Sequence, residues 1–284
     1  MQRIGNIVLG ACLAMAIGAV ASRSLAGEAA DPKLARMDAL WAQRDKGDKL
    51  QELVSLGTTA VTNEPGNYEA QWRVARAYFW VAFTQSNRVV KKAMAAQAME
   101  WADRARMQQP QRVEGHYIYA IAVGAYADTI GVLQAIVDGV AGKVELSAER
   151  AYEIDRDYYH GAPGTVLGRY YFLLPWPKRD LDRSRHYLEE VVARHPESLI
   201  ARYYLADTYI ELGKRKRARE QLAYILANDV APGTELDLPA PKPLARDAME
   251  RWFPNQPPEV ARFRRRFANA TLVGCARWNR GGDS

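Results

Sequence analysis

The sequence predicts an all-α fold, an α-solenoid of stacked helix pairs, on three observations. First, residues 198–230 read SLIARYYLADTYIELGKRKRAREQLAYILANDV. Ala201, Tyr204, Leu205, Thr208, Tyr209 and Leu212 recur there at spacings of three and four and share one helix face. Second, Gly213 stands where that helix should end, because glycine enters the left-handed C-cap conformation without a Cβ clash. A basic run then opens another helix, with Ala218, Leu222, Ile225 and Leu226 on its inner face. Third, the preceding stretch repeats the plan: Leu167, Gly168 and Tyr171 are followed by Ser184, Leu188 and Val191, and then by Pro196. A single pair of this kind cannot bury its apolar face alone, so stacked neighbours supply the core.

Leu-Gly-x-x-Tyr, a small residue in the second helix and a closing Pro within about 34 residues resemble the tetratricopeptide repeat. Taken from its start, the chain opens with an export signal. Arg3 precedes an apolar run from Ile4 to Ala21, and two small-x-small sites follow, Ala19-Val20-Ala21 and Ser24-Leu25-Ala26. This layout sets residues 1–26 apart from the fold as a signal peptide and places the mature chain in the periplasm. Leu9-Gly10-Ala11-Cys12 also has the form of a lipoprotein box, in which Cys12 would be lipidated. The apolar run continues past Cys12, which fits cleavage near Ala26 better. An uncleaved anchor is a further reading, although the run is only marginally long enough to span a bilayer.

Residues 27–231 carry the repeats. Asp31 to Gly66 predicts a first pair that turns at Lys46-Gly47-Asp48, with Leu34, Met37, Leu40 and Trp41 on one helix. Leu50, Leu53, Val54, Leu56 and Ala60 line the other. Tyr68 to Pro110 predicts a second pair, with Trp72, Ala75, Tyr78 and Phe79 facing Ala98, Ala102 and Ala105. The extra residues 83–93 either lengthen these helices or add a loop. Residues 117–142 are strongly apolar, with breaks at Gly124, Gly131, Gly139 and Gly142. Asp128 and Asp138 argue against a membrane span, since each would cost a few kcal/mol at the bilayer centre. The stretch reads as a long, almost fully buried helix, or two helices broken near Gly131; a groove or pore lining is the alternative. Tyr158 to Gly164 reads as a compact aromatic turn ahead of a helix. Leu174 to Asp180 reads as a rigid exposed loop topped by Trp176, because its two prolines forbid a helix interior. Residues 232–284 read as a Pro-rich linker and a basic helical extension. The extension holds a short amphipathic helix over Ala245 to Phe253, then a basic helix with Arg262, Arg264, Arg265 and Arg266.

Charge follows this division. The formal net charge of the 284 residues is +6. Residues 1–26 contribute +2 and residues 242–284 contribute +5, which leaves 27–241 at −1. The basicity belongs to the tail, so the chain as a whole is no polyanion binder, and export argues against a nucleic-acid partner. The arginines at 262–266 read as a solvated helix face, with docking on an acidic partner or membrane surface as the alternative. Beyond Cys12, Cys275 is the only cysteine, so no internal disulfide and no thiolate metal site is expected. His116, His160, His186 and His195 include no pair at the i, i+4 spacing of a helical zinc site. GxSxG, Walker A and GxGxxG motifs are absent. No enzyme activity, cofactor or metal is expected.

Three further stretches carry a family resemblance: GAYADTIGVLQAI at 124–136, HGAPGTVLGRYYFLLPWPKRDLDRSRHYLEEVVARHPES at 160–198 and ARYYLADTYIELGKRKRA at 201–218. They resemble the T component associated with some TRAP transporters (TatT-like), over roughly residues 68–230. The resemblance implies an exported, often lipid-anchored, all-helical protein that forms homo-oligomers and partners a periplasmic solute-binding protein. That partner would pass small organic acids or hydrophobic ligands to a permease. A general envelope scaffold with protein partners and no small ligand is the other reading. Ligand or partner candidates are Tyr78, Tyr126, Tyr158, Tyr170, Tyr171 and Tyr209 on the concave side, with His160 and Trp176 at its rim. Tyrosine supplies apolar area and still leaves a hydroxyl for a partner; inter-repeat core is the alternative place for these rings.

Overall fold

The structure is a computed structural model that describes residues 31–229 and 241–254. The predicted signal segment with Cys12, most of the Pro-rich linker, and Arg262, Arg264, Arg265 and Arg266 lie outside these residues. The described residues form helices and no strands, consistent with a helical-repeat solenoid.

The first pair is α1 (Pro32–Trp41) and α2 (Lys49–Asn63), which turn where Lys46-Gly47-Asp48 predicts. The second is α3 (Tyr68–Thr84) and α4 (Arg88–Gln108). The extra residues lengthen these helices: α4 runs for 21 residues. Each helix starts at an asparagine whose side chain accepts backbone N–H groups, Asn67 from Ala70 at 3.0 Å and Asn87 from Val89 at 2.9 Å.

The apolar stretch becomes α5 (Val113–Ile130), α6 (Val132–Val137) and α7 (Val140–Ile154). It breaks at Gly131, as predicted, and again at Gly139, both at positive φ. The expected near-complete burial is corrected here: Leu133 is 71% and Val137 79% exposed. The reason is local. A six-residue helix caught between two turning glycines can press only one side inward, and α6 buries Ala135 alone. Among the described residues no helix is long and apolar enough to cross a membrane.

Next come α8 (Tyr158–Leu173) and α9 (Leu181–Arg194), then α10 (Leu199–Glu211) and α11 (Arg215–Ala227). Gly213 adopts φ +70°. The following Lys214 N–H reaches back to the Tyr209 carbonyl at 2.8 Å, the closing bond of a glycine C-cap. The loop between α8 and α9 is pinned by Asp180 N–H donating to the Tyr171 carbonyl at 3.2 Å and by Arg179 Nε donating to the Phe172 carbonyl at 3.0 Å. Trp176 stands out from it, 89% exposed. The last described helix, α12 (Pro241–Trp252), begins four residues before the predicted Ala245. Pro241 and Pro243 fit its first turn, where the missing N–H groups have no acceptor within the helix. Ala245, Ala248, Met249 and Phe253 pack with Leu205, Leu222 and Ile225, so α12 closes that end of the stack.

Two features hold the pairs together. Small residues allow close approach: Ala95, Ala98, Ala102 and Ala105 of α4 are fully buried, and Gly168 of α8 lies so near Leu188 that a Cβ would sit 2.4 Å from its Cγ. Tyrosines brace the helices. Tyr68 donates to Glu114 at 2.9 Å, Tyr152 to Glu190 at 2.6 Å, Tyr171 to Glu145 at 2.7 Å and Tyr209 to Glu189 at 2.7 Å. In each case the ring packs between helices while the hydroxyl reaches a carboxylate nearer the surface.

Candidate functional site

The first helices of successive pairs, α3, α5, α8 and α10, together with the α6–α7 bend, surround a cavity of about 460 Å³. Aromatic rings form one wall, Phe79, Trp80 and Phe83 of α3, with Phe79 and Phe83 stacked at 5.8 Å. Small residues of α5, Ala120, Gly124, Ala125 and Ala127, form the floor. An ideal Cβ at Gly124 would meet nothing within 4 Å. Ala162, Val166 and Leu173 of α8 face them, and Ile200 and Tyr204 of α10 complete the wall.

The polar groups at this cavity are already engaged with protein partners. Lys91 pairs with Asp128. Arg169 Nη1 donates to Asp207 Oδ2 at 2.8 Å, and its guanidinium lies 4.5 Å from the Tyr204 ring centre and 4.9 Å from that of Phe172. Burial pushes the Asp207 carboxyl upward, and Arg169 opposes this only in part. Thr165 Oγ1 donates to the Gly161 carbonyl at 3.1 Å and Tyr170 Oη to Glu145 at 3.1 Å. Burial and then Glu145 raise the Tyr170 phenol well above its ordinary range, so it stays a neutral donor. The result is an apolar trough with an ion pair on α4–α5 and another on α8–α10, suited to an elongated apolar body with a polar end.

Of the residues proposed from sequence, Tyr170 lines this groove. Tyr158 backs it, edge-on to the lining residue Tyr117 at 5.4 Å. Tyr126 lies under Lys92, 5.5 Å from ring centre to Nζ. The Tyr78 hydroxyl lies 3.0 Å from Thr58 Oγ1, between α2 and α3. Tyr171 and Tyr209 are buried between helices, and Trp176 stands on its loop. His160 sits at a different place, the joint between the start of α8 and the α9–α10 turn, with Nδ1 2.8 Å from Glu197 Oε1. Sequence reasoning missed Phe79, Trp80, Ala120, Gly124, Arg169 and Tyr204 as lining residues. The signal that could have found the floor was the small residues of 120–127, inside the apolar stretch 117–142 whose alternative reading was a groove or pore lining.

Known proteins share this architecture. The model of the family described as regulator of microtubule dynamics protein 1-3 matches residues 34–176. A tetratricopeptide repeat model matches residues 178–232. Among solved structures, a thermophilic tetratricopeptide-repeat protein of Thermus thermophilus is similar, at 18% identity and TM-score 0.57, over 77% of this chain and 97% of that one. The MamA protein matches at 16% identity and TM-score 0.46, over 68% of this chain and 90% of its own. No curated protein sequence matches. The first of these likenesses shows the fold. It is a tetratricopeptide-type fold, of a kind suited to protein–protein interaction.

Proposed function

The chain belongs to the regulator of microtubule dynamics protein 1-3 family, and from that premise we propose that it is a non-catalytic binding protein of the periplasm whose groove takes an apolar or amphiphilic ligand. The observation that carries the proposal is the position of the groove. Every lining residue except Ile200 and Tyr204 falls within 34–176, the stretch matched by that family, rather than in the regular repeat after it. The microtubule role in the family's description is not carried over, because residues 1–26 read as an export signal. The setting that fits an exported helical-repeat protein with an apolar groove is transport accessory, as in the TRAP T-component resemblance. There it would present or accept a small hydrophobic or organic-acid ligand from a solute-binding protein, with Arg169 or Lys91 near the ligand's polar end. A general envelope scaffold is the second reading, favoured by Trp176, which is exposed on a loop held rigid by backbone hydrogen bonds.

The test uses the exported mature chain, purified without detergent and extracted with organic solvent for mass spectrometry. The expected result is a near-stoichiometric amphiphile that disappears in Gly124→Trp, whose side chain would project into the open groove. An empty wild-type groove that also fails to take up a fluorescent fatty acid refutes the binding role. Cross-linked capture from envelope extract then separates the two settings. A solute-binding protein with its permease supports the transport reading, and cell-wall or outer-membrane assembly proteins support the scaffold.

A further inference from the structure

The joint between α8 and the α9–α10 turn holds a side-chain cluster remote from the groove's function. Tyr159 and His160 both adopt left-handed backbone, at φ 47°, ψ 53° and φ 54°, ψ 43°. Such a backbone is unfavourable for a non-glycine residue and persists only where its surroundings enforce it. This turn brings the His160 ring to His195, with ring centres 5.9 Å apart and planes at 86°. His160 Nδ1 is 2.8 Å and His195 Nδ1 3.5 Å from the same atom, Glu197 Oε1. One donor atom from each of His160, His195 and Glu197 lies within 4.8 Å of the others. All three residues are half-buried, so the cluster is open to solvent on one side.

Proton accounting shows what the cluster lacks. His195 Nε2 lies 2.8 Å from Asp157 Oδ1, and Asp157 is held in place by Arg194, whose Nε donates at 2.8 Å. In the neutral ring that metal ligation requires, His195 gives its Nε2–H to Asp157 at 2.8 Å and turns the Nδ1 lone pair toward the Glu197 carboxylate. Two lone pairs then face each other across 3.5 Å. Ligand atoms that hold a tetrahedral zinc ion at 2.0–2.1 Å stand about 3.4 Å apart. The His195–Glu197 separation already matches that edge. The shorter His160 contact needs to open by about 0.6 Å, while the His160 proton moves through solvent from Nδ1 to Nε2.

We propose that this joint is a binding site for a borderline divalent transition metal of the zinc class, with His160 Nδ1, His195 Nδ1 and Glu197 Oε1 as ligands and the fourth position open to water. Two imidazoles and one carboxylate suit zinc and its neighbours rather than magnesium or calcium. Asp157 is the positioning residue: it orients His195 as second-layer carboxylates orient metal-bound histidines. The ligands come from the start of α8 and from the segment that joins α9 to α10. A metal there would tie the start of α8 to the turn that leads from α9 into α10.

The experiment is calorimetric titration of the untagged mature chain with zinc chloride, with magnesium chloride as the comparison ion and thermal unfolding as a second readout. The expected result is one zinc site per chain, a raised Tm with zinc and no response to magnesium. Zinc binding should fall at least tenfold in His195→Ala and Glu197→Gln, and about tenfold in Asp157→Asn. It should be unchanged in His186→Ala, which removes a histidine outside the cluster. Glu197→Gln keeps the side-chain shape, and circular dichroism of each variant separates lost ligation from lost fold. Absence of zinc binding overturns the proposal, as does binding that survives both ligand substitutions in folded protein, or binding that disappears only in His186→Ala.

Discussion

Two glycines of α5, nine residues apart, should respond to the same substitution in opposite directions. Gly115 faces α4 so closely that an ideal Cβ would lie 2.7 Å from Arg106 N, 2.9 Å from Arg106 Cα and 3.1 Å from Ala105 C. These are backbone atoms and have no rotamer to escape into. Reaching the 3.4 Å of ordinary contact requires α4 and α5 to separate by about 0.7 Å along a fully buried alanine seam. Overpacking of this kind costs about 1–3 kcal/mol, and an immobile backbone puts it toward the upper end. Against that, replacing a helix-interior glycine with alanine contributes about 1 kcal/mol of helix propensity. Gly115→Ala should therefore destabilise by about 1–2 kcal/mol. At Gly124 nothing lies within 4 Å of the new methyl group, so only the propensity gain remains. Gly124→Ala should stabilise by about 0.5–1 kcal/mol. Urea unfolding followed by far-ultraviolet circular dichroism measures both, and the midpoints should move to opposite sides of wild type with unchanged slope. Midpoints that shift the same way, or Gly115→Ala at wild-type stability, would refute the close α4–α5 approach and the open floor of the groove together.

Three other outcomes follow from the same structure. Ser184 Oγ lies 2.9 Å from Thr208 Oγ1, both fully buried, and Thr208 also donates to the Tyr204 carbonyl at 2.9 Å. Ser184→Ala leaves Thr208 bonded and should cost about 1 kcal/mol, Thr208→Val strands the serine and should cost about 1–3 kcal/mol, and a double-mutant cycle should show the pair recovering part of the sum; strict additivity would contradict the contact. His116 is depressed by burial and by Arg106 and Arg150, with the Pro110 carbonyl at 3.0 Å opposing. The folded state thus binds the His116 proton less readily than the unfolded chain, so stability holds above about pH 6.5 and falls as pH drops below it, by at most about 1.4 kcal/mol per pH unit; His116→Gln should flatten that acid-side slope in a pH series of unfolding midpoints. Trp176→Ser should leave stability within about 0.5 kcal/mol while weakening cross-linked partner capture, and unchanged capture would remove this loop from the interaction surface.

The repeat architecture was legible because its cues are local. The helix faces of α10 and α11, Gly213 as a cap, the turn at Gly47 and the break at Gly131 each depend on a few consecutive residues, and each falls where the periodicity places it. The burial of 117–142 was overestimated because apolar content along a chain does not say which side of a short helix is covered: Leu133 and Val137 look like core residues and face outward. The tyrosines were chosen for their chemistry, but a tyrosine whose hydroxyl meets a glutamate one helix away fits the braces between helices equally well. Only the pairing, such as Tyr171 with Glu145 or Tyr209 with Glu189, distinguishes the two roles, and that pairing is tertiary. The histidine cluster was hidden for the same reason. A search for metal ligands at helical spacing cannot see His160 and His195, which stand 35 residues apart and meet through a left-handed turn.

The groove and the regular repeats are two outcomes of one packing rule. In α10 the inward positions carry Leu205, Thr208 and Tyr209: Leu205 and Tyr209 join one core cluster with side chains of α9, α11 and α12, and Thr208 meets Ser184 of α9. In α5 the small residues Gly124 and Ala127 line the cavity, while Ala120 lies at its floor, buried in one cluster with Leu167 and Tyr171 of α8. Longer helices keep the backbones in place: α3 and α4 are extended, and the buried α4–α5 seam is tight where Gly115 meets Arg106. The small residues therefore open a cavity instead of letting the helices collapse together. A sequence under selection only for a stable stack would fill positions 124 and 127 with larger apolar side chains, each adding about 1 kcal/mol or more of burial. Leaving them small gives up that stability, which makes the groove the part of this fold that packing alone does not account for.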